Sequence, residues 1–142
     1  MLVSTRGRYA LRFLVDLAEN QSDEGFITTR ELAERQQVSL KYAERLMVLL
    51  SKGKFVKSVH GKGGGYRLVC GPEKLHVSEV LRAMNEELAP VECLKCEPNT
   101  CPRAANCRTL PMWQKLGKVI NDFFDGITLA ELMKQEKNSS LA

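Results

Sequence analysis

The chain has 142 residues, of which 44% are hydrophobic and 27% charged, and a net charge of +4. This length allows one core of ordinary size with a helical extension. No stretch approaches the roughly 18 apolar residues of a membrane span, and the N-terminus lacks an apolar signal core, so we expect no membrane partner and a cytoplasmic location. In that reducing compartment, five cysteines are typical of metal ligands or sensor thiols.

The first helices follow from apolar spacing and capping residues. Apolar side chains within residues 10–18 recur at helical intervals, and a polar stretch that reaches Gly25 closes this first helix. Thr28 and Glu31 have the spacing of a capping box, in which a hydroxyl and a carboxylate satisfy free backbone amides. They predict a short second helix that ends near Gln36.

A turn of three or four residues precedes a third helix, which begins after the N-cap residue Ser39 and carries an apolar stripe to Leu50. In a helix-turn-helix, the first turns of the second helix lie against base edges in the major groove. The candidate DNA contacts at this helix start are Ser39, Lys41, Tyr42, Glu44 and Arg45. We expect Glu44 to restrict the sites that bind, because a carboxylate accepts only from donors such as cytosine N4; a surface salt bridge is the alternative.

Charge supports a polyanion partner. Between residues 41 and 67, seven Lys and Arg residues accompany a single acid, Glu44. Neutralisation of phosphates supplies most sequence-independent affinity for DNA. A solvated helix face is the ordinary alternative for such a cluster.

Residues 55–59 and 66–69 alternate apolar and polar around a glycine-rich segment, which predicts a β-hairpin, or wing. The spacing of a nucleotide-binding P-loop is absent, and a strand follows the glycines where a P-loop requires a helix. A tip with few side chains can enter the minor groove closely, although a turn that touches nothing is the alternative. The candidate contacts of the wing are His60, Gly61, Lys62, Gly63 and Gly64.

A fourth helix, from Val77 to about Glu87, precedes residues 89–110, which show no usable periodicity. This segment contains Cys93, Cys96, Cys101 and Cys107. So dense a cluster beside a nucleic-acid reader indicates control by a metal or by redox state. Zinc is one alternative, although zinc ribbons pair two CxxC units, and a metal-free disulfide switch is another. Neither histidine is near the cysteines, which argues against a thiol enzyme, and isolated Cys70 is predicted to be a buried hydrophobe.

A long amphipathic helix is predicted from Pro111 to Gly126, and Thr128 with Glu131 caps a last short helix. Its candidate dimerisation residues are Met112, Leu116, Val119, Ile120 and Phe123. We favour a symmetric homodimer, because a two-fold protein matches a palindromic DNA site. Packing of this stripe within one chain is the alternative.

Together these elements predict a mainly α fold with a small β-hairpin. Residues 1–88 form a winged helix-turn-helix DNA-binding domain, residues 89–110 a cysteine-rich cluster-binding loop, and residues 111–142 the dimerisation helix with a short C-terminal helix.

Four motifs carry a family resemblance that covers nearly the whole chain. They are Thr5-Arg-Gly-Arg-Tyr-Ala10, Ser39-Leu-Lys-Tyr42, Ser58-Val-His-Gly-Lys-Gly-Gly-Gly-Tyr66 and Ile127-Thr-Leu-Ala-Glu-Leu132. With the cysteine loop, they resemble the winged-helix regulators of the Rrf-two family. Resemblance to the iron–sulfur regulators of that family implies that this chain forms a homodimer. It also implies a two-iron, two-sulfide (2Fe-2S) cluster, held by Cys93, Cys101 and Cys107, which match the ligand positions of the family. We therefore expect a non-enzymatic transcriptional regulator of iron–sulfur cluster assembly genes that binds palindromic double-stranded DNA.

The sequence departs from that pattern at two places. Seven residues separate Cys93 from Cys101, more than the family spacing, and the family's histidine ligand is replaced by Leu110. Arg8 stands where nitric-oxide-sensing members have an aspartate ligand. Cys96 is therefore the candidate fourth ligand, although a donor from the partner subunit or from solvent is an alternative. A nitric-oxide sensor and a cluster-free regulator of cysteine metabolism remain alternatives within the family.

Overall fold

The computed structural model describes residues 2–23, 25–61 and 64–135. Within them the chain is mainly helical with one antiparallel hairpin, which confirms the predicted fold class. The elements are α1 (Thr5–Asn20), α2 (Thr29–Gln36), α3 (Leu40–Lys52), β1 (Val56–Val59), β2 (Gly65–Leu68), α4 (Val77–Ala83), α5 (Leu110–Asp125) and α6 (Leu129–Met133). Single 3-10 turns occur at Pro72–Lys74, Glu92–Leu94 and Ala104–Asn106.

The core is centred on α1, whose apolar residues at helical spacing are fully buried. α2, α3, the hairpin and α6 pack around this stripe. Each fully buried aliphatic or aromatic side chain stabilises the folded state by about 1.5–3 kcal/mol compared with the same side chain left exposed. The buried residues of α1 and α3 that form most of this core are Ala10, Phe13, Leu14, Leu17, Ala43, Leu46, Met47 and Leu50.

The helix-turn-helix has the predicted caps. The Glu31 carboxylate accepts the Thr28 backbone N–H at 2.7 Å, and the Thr28 hydroxyl accepts the Glu31 N–H at 3.1 Å. Gln37 follows α2 in the left-handed conformation, with a φ of 56°. Ser39 then caps α3 by accepting the Tyr42 N–H at 3.1 Å. These local bonds determine where α2 ends and where α3 begins.

The wing pairs Val56 with Leu68 and has a third partner outside its two strands. Ile27 and Tyr66 exchange two backbone hydrogen bonds, of 2.8 and 2.7 Å. A side chain at Gly65 would collide with the Ile27 carbonyl, so only glycine permits this approach. Strand β2 is thus fastened at Tyr66 to the segment between α1 and α2.

The end of α4 differs from the prediction. The helix stops at Ala83 and not near Glu87, because Asn85 adopts a left-handed φ of 57° and turns the chain back. Glu86 then reaches the start of α1, where its carboxylate accepts the Ser4 backbone N–H at 3.0 Å and bonds the Ser4 hydroxyl. A tertiary contact therefore ends this element earlier than its periodicity indicates.

The C-terminal helices return to the body. Ile120 and Phe124 of α5 pack on a small cluster of Val77, Leu81 and Leu88. Leu129 of α6 is fully buried in the main core, and its N–H donates to the Leu75 carbonyl at 2.9 Å. In the described residues, no helix is both long and apolar enough to cross a membrane.

Candidate nucleic-acid interface and cysteine segment

One face of α3 is charged and exposed. Lys41, Glu44 and Arg45 project to solvent on the side opposite the buried stripe. Glu44 forms no ion pair with any described residue, so the surface salt bridge considered as its alternative role is not seen there. The Ser39 hydroxyl is already engaged as the helix cap. This face therefore offers two cations and one free carboxylate.

Tyr42 is arranged differently from its neighbours. Its ring is half-buried and meets the Tyr9 ring edge-on, with 6.1 Å between centroids. Its hydroxyl is buried without a hydrogen-bond partner among the described residues. Burial raises the pKa of Tyr42, and the charge of Tyr9 adds to that rise, while Arg6, Arg45 and Arg8 oppose it. Tyr42 thus packs against α1, although the sequence alone suggested only a DNA contact.

Arg6 and Arg8 are basic residues that the sequence interpretation did not assign to the DNA-binding surface. Both are exposed in the first turns of α1, and both lie close enough to Tyr42 to affect its ionisation. The Arg8 guanidinium also donates to the Thr5 hydroxyl at 3.2 Å. The available signal was the pair of arginines within four residues near the N-terminus. The basic surface around the start of α3 therefore includes the start of α1.

The wing tip is described only in part. His60 and Gly61 are exposed, and Gly61 has a φ of 108°, which favours glycine. A side chain at Gly64 would collide with the Val59 carbonyl. Local backbone geometry therefore favours glycine at both positions, whether or not the tip contacts DNA. The predicted contacts Lys62 and Gly63 lie outside the described residues.

The cysteine-rich loop of residues 89–110, called the cysteine segment from here on, connects α4 to α5. All five cysteines are free thiols; Cys93, Cys101 and Cys107 are half-buried and Cys96 is exposed. Across the described ranges, no three Cys, His, Asp or Glu side chains are close enough together to hold a metal ion. Isolated Cys70 packs partly buried against the main core.

Cys107 lies just before the first turn of α5. Its sulfur is 3.3 Å from the Thr109 hydroxyl. Hydrogen bonds from that hydroxyl and from the backbone N–H groups of Thr109 and Leu110 lower the pKa of Cys107. The thiolate is the form of cysteine that binds metals and reacts, and a lowered pKa favours that form at Cys107.

A second feature of the segment suits an anionic group. The Asn99 side-chain oxygen accepts the Cys101 backbone N–H at 2.9 Å, while its amide nitrogen is buried without a partner among the described residues. Asn99 lines an open cavity of about 500 Å³ together with Cys96 and Gln114. An unpartnered buried donor is costly, and sulfur carrying negative charge is a suitable acceptor. The donor set of the segment, four thiols and a free amide, therefore fits an iron–sulfur cluster in its chemistry.

The predicted dimerisation residues divide between two faces of α5. Met112, Leu116, Val119 and Phe123 are exposed by 53%, 40%, 63% and 60%, whereas Ile120 is half-buried against the body. The exposed four follow spacings of four, three and four residues. That is the spacing of a seam between two paired helices. The structure therefore leaves an apolar strip on α5 that no described residue covers.

Comparison with known proteins gives consistent results. The model of the Rrf2 family, described as an iron-dependent transcriptional regulator, matches residues 3–135. The HTH-type transcriptional regulator IscR of Aliivibrio salmonicida is 38% identical over 133 residues, which are 94% of this chain and 77% of that protein.

Solved structures resemble this fold over nearly its whole length. CymR, the global cysteine regulator of B. subtilis, superposes with a TM-score of 0.79 at 26% identity, covering 96% of this chain and 99% of CymR. T. potens IscR superposes with a TM-score of 0.71 at 30% identity, covering 100% of this chain and 97% of the other.

Proposed function

The chain belongs to the Rrf2 family of transcriptional regulators, and from that premise we propose that it is an iron–sulfur-dependent regulator that binds palindromic promoter DNA as a cytoplasmic homodimer. The family consists of DNA-binding regulators and not of enzymes. The genes it would control are those of iron–sulfur cluster assembly, as the resemblance to IscR proteins implies.

Four free thiols within residues 93–107 are the main support for the cluster. Cys93, Cys101 and Cys107 match the family ligands in order. Cys96 is the local donor for a fourth position, since Leu110 cannot coordinate iron. Iron–sulfur clusters are held by such thiolates, and a site with four of them is more anionic than one with a histidine. A bound cluster would supply a redox-active group that joins four otherwise separate thiolates.

The DNA-binding part of the proposal depends on the exposed start of α3. Lys41 and Arg45 can neutralise phosphates, while Glu44 selects base edges that offer a donor. The tip of the wing, including His60 and Lys62, would contact the adjacent minor groove or backbone.

The cysteine segment is physically joined to α5. A Cβ placed on Gly117 would lie 3.5 Å from Pro90 and 3.8 Å from Leu94, so the start of the segment packs closely on the helix. α5 also carries the uncovered apolar strip. Gathering the thiolates would therefore restrict a segment that contacts the proposed dimer helix. In this way the segment would shift the relative orientation of the two recognition helices.

Anaerobic purification followed by visible absorption and iron and sulfide analysis tests the cluster. We expect charge-transfer bands in the unaltered protein, their loss in Cys107→Ala, and their retention in Cys70→Ala. Cys70 is the matched control, because it is a free thiol outside the segment. Zinc in place of iron, or protein that stays metal-free after reconstitution with ferrous salt and sulfide, would contradict the proposal.

A cluster-free regulator is the second candidate. It is favoured by the superposition with CymR and by the separation of the thiols within the described residues. Such a protein would bind the same operator with equal affinity before and after iron–sulfur reconstitution. Measurement of operator affinity in both states separates the two candidates.

A further inference from the structure

Arg12 of α1 contacts the end of α2 directly and is connected to α3 through one intervening ring, that of Tyr9. Its Nε–H donates to the Gln36 side-chain oxygen at 2.9 Å, and Gln36 is the last residue of α2. Its guanidinium carbon lies 4.8 Å from the centroid of the Tyr9 ring, within the range of a cation–π interaction. Tyr9 in turn packs edge-on against Tyr42 in the first turns of α3.

The α2 end of this chain of contacts is firmly held. The Gln36 amide donates to the Asp16 carboxylate at 2.7 Å, and Asp16 is only 5% exposed. Arg35 pairs with the same carboxylate at 2.6 Å. The next residue, Gln37, is the left-handed position of the turn. A shift of Gln36 would therefore move the turn between the two helices.

The α3 end of this chain of contacts lies directly beside the candidate base contacts. Tyr42 is flanked by exposed Lys41 and is followed by exposed Glu44 and Arg45. Because the Tyr42 ring rests on Tyr9, the position of Tyr9 sets the position of this first turn. Recognition side chains need placement to within about 0.5 Å to keep their geometry.

We propose that Arg12 is a positioning residue for DNA recognition, which fixes the start of α3 relative to α2 through Tyr9 and Gln36 without itself contacting DNA. This inference depends on the proposed DNA binding by α3. Arg12 is exposed like Arg6 and Arg8, but its guanidinium is engaged by Gln36 and Tyr9, and the inference gives it a role distinct from the phosphate contacts expected of Arg6 and Arg8.

Two substitutions at Arg12 separate positioning from phosphate contact. Arg12→Lys keeps the charge but loses the planar guanidinium, and Arg12→Met loses both. The probe is a duplex selected from a random library by the full-length protein, compared with a scrambled duplex over a range of salt concentrations. We expect both variants to lower the affinity ratio of selected to scrambled duplex about tenfold, a loss in the range of one wrong base pair. Scrambled-duplex affinity and salt slope should stay unchanged.

A phosphate contact gives a different pattern. Arg12→Lys would then behave like the unaltered protein, and Arg12→Met would weaken both duplexes equally with a salt slope shallower by about 0.9. That pattern, or no change in either variant, would overturn the inference. Glu19→Gln is the control on the same helix, because Glu19 is exposed and takes no part in these contacts, and it should keep the ratio.

Gln36→Met provides a second route if an Arg12 variant does not fold. It breaks the same chain of contacts at a neutral residue, so we expect the same loss of ratio with no change in slope. A thermal unfolding midpoint is recorded for each variant to measure any loss of stability. Reduced stability alone does not alter the ratio of the affinities with which the same folded protein binds two duplexes, so a changed ratio reports on recognition. Failure of the unaltered protein to select any sequence would count against the proposed function, and not against the role of Arg12 alone.

Discussion

The winged body and the region from the cysteine segment through α5 differ in how they are held together. α1 alone buries six residues, including Gly7 and Asp16, whereas none of residues 89–128, all of them described, is fully buried. The body is thus stabilised by its own core, while the second region rests on it with thiols and an apolar strip still accessible. The core that stabilises the fold and the thiols of the proposed cluster site are therefore located in different parts of the chain.

The largest expected effect is loss of core packing in the body. Leu14→Ala should lower the free energy of unfolding by about 3–4 kcal/mol, because Leu14 is fully buried and a cavity remains. Leu94→Ala is the matched substitution in the cysteine segment, where the side chain is half-buried, and should cost less than half as much. Urea denaturation measures both, and equal losses would remove the distinction between the regions.

Introducing a charge into the strip on α5 should affect association more than folding. Val119→Glu places a carboxylate where side chains of a second copy would pack, and should weaken the dimer by about 2–3 kcal/mol. Sedimentation velocity measures the change, and thermal unfolding of the monomer should be unaffected. Gln114→Glu adds the same charge on the opposite face and should leave association intact. A monomeric unaltered protein would show that the strip has another use.

The contact between Glu86 and α1 makes a pH-dependent contribution. Burial raises the pKa of Glu86, but hydrogen bonds from the Ser4 hydroxyl and from the N–H groups of Ser4 and Gly7 bring it below its ordinary value of 4.5. A depressed carboxyl pKa gives stability that is present above the unfolded-state value and is lost as pH falls through the folded value.

Glu86→Gln should therefore cost about 1 kcal/mol at neutral pH, the size of a helix-cap interaction. It should also flatten the stability profile below about pH 4.5. Chemical denaturation at several pH values tests this. Glu19→Gln, on the exposed face of α1, serves as control, and the same flattening there would contradict the assignment.

The smallest effect is a gain in stability. Gly117→Ala should stabilise α5 by about 0.5–1 kcal/mol, since alanine is the better helix former and the added methyl finds only ordinary contacts with Pro90 and Leu94. Thermal unfolding of the variant tests this prediction, and we expect a small rise in the midpoint. A fall would mean that the segment packs on α5 more tightly than these distances indicate.

Local chemistry made much of the fold predictable. The caps at Thr28 and Ser39, and the apolar periodicity of α1, α3 and α5, act within a few residues of one another, so the sequence predicts these elements nearly where they occur. The exposed set Lys41, Glu44 and Arg45 was predictable for the same reason. The cluster ligands, the dimer and the DNA contacts remain predictions.

By itself, the sequence determined the order of the elements, the basic face of α3 and the grouping of four thiols between two helices. Only the tertiary structure decided that Tyr42 packs on Tyr9, that Ile120 and Val119 belong to different faces of α5, and that Glu86, just beyond the end of α4, bonds Ser4 at the start of α1. Helical periodicity defines an apolar arc but not its partners. Which part of the arc is covered depends on residues distant in the chain, and these meet only after folding.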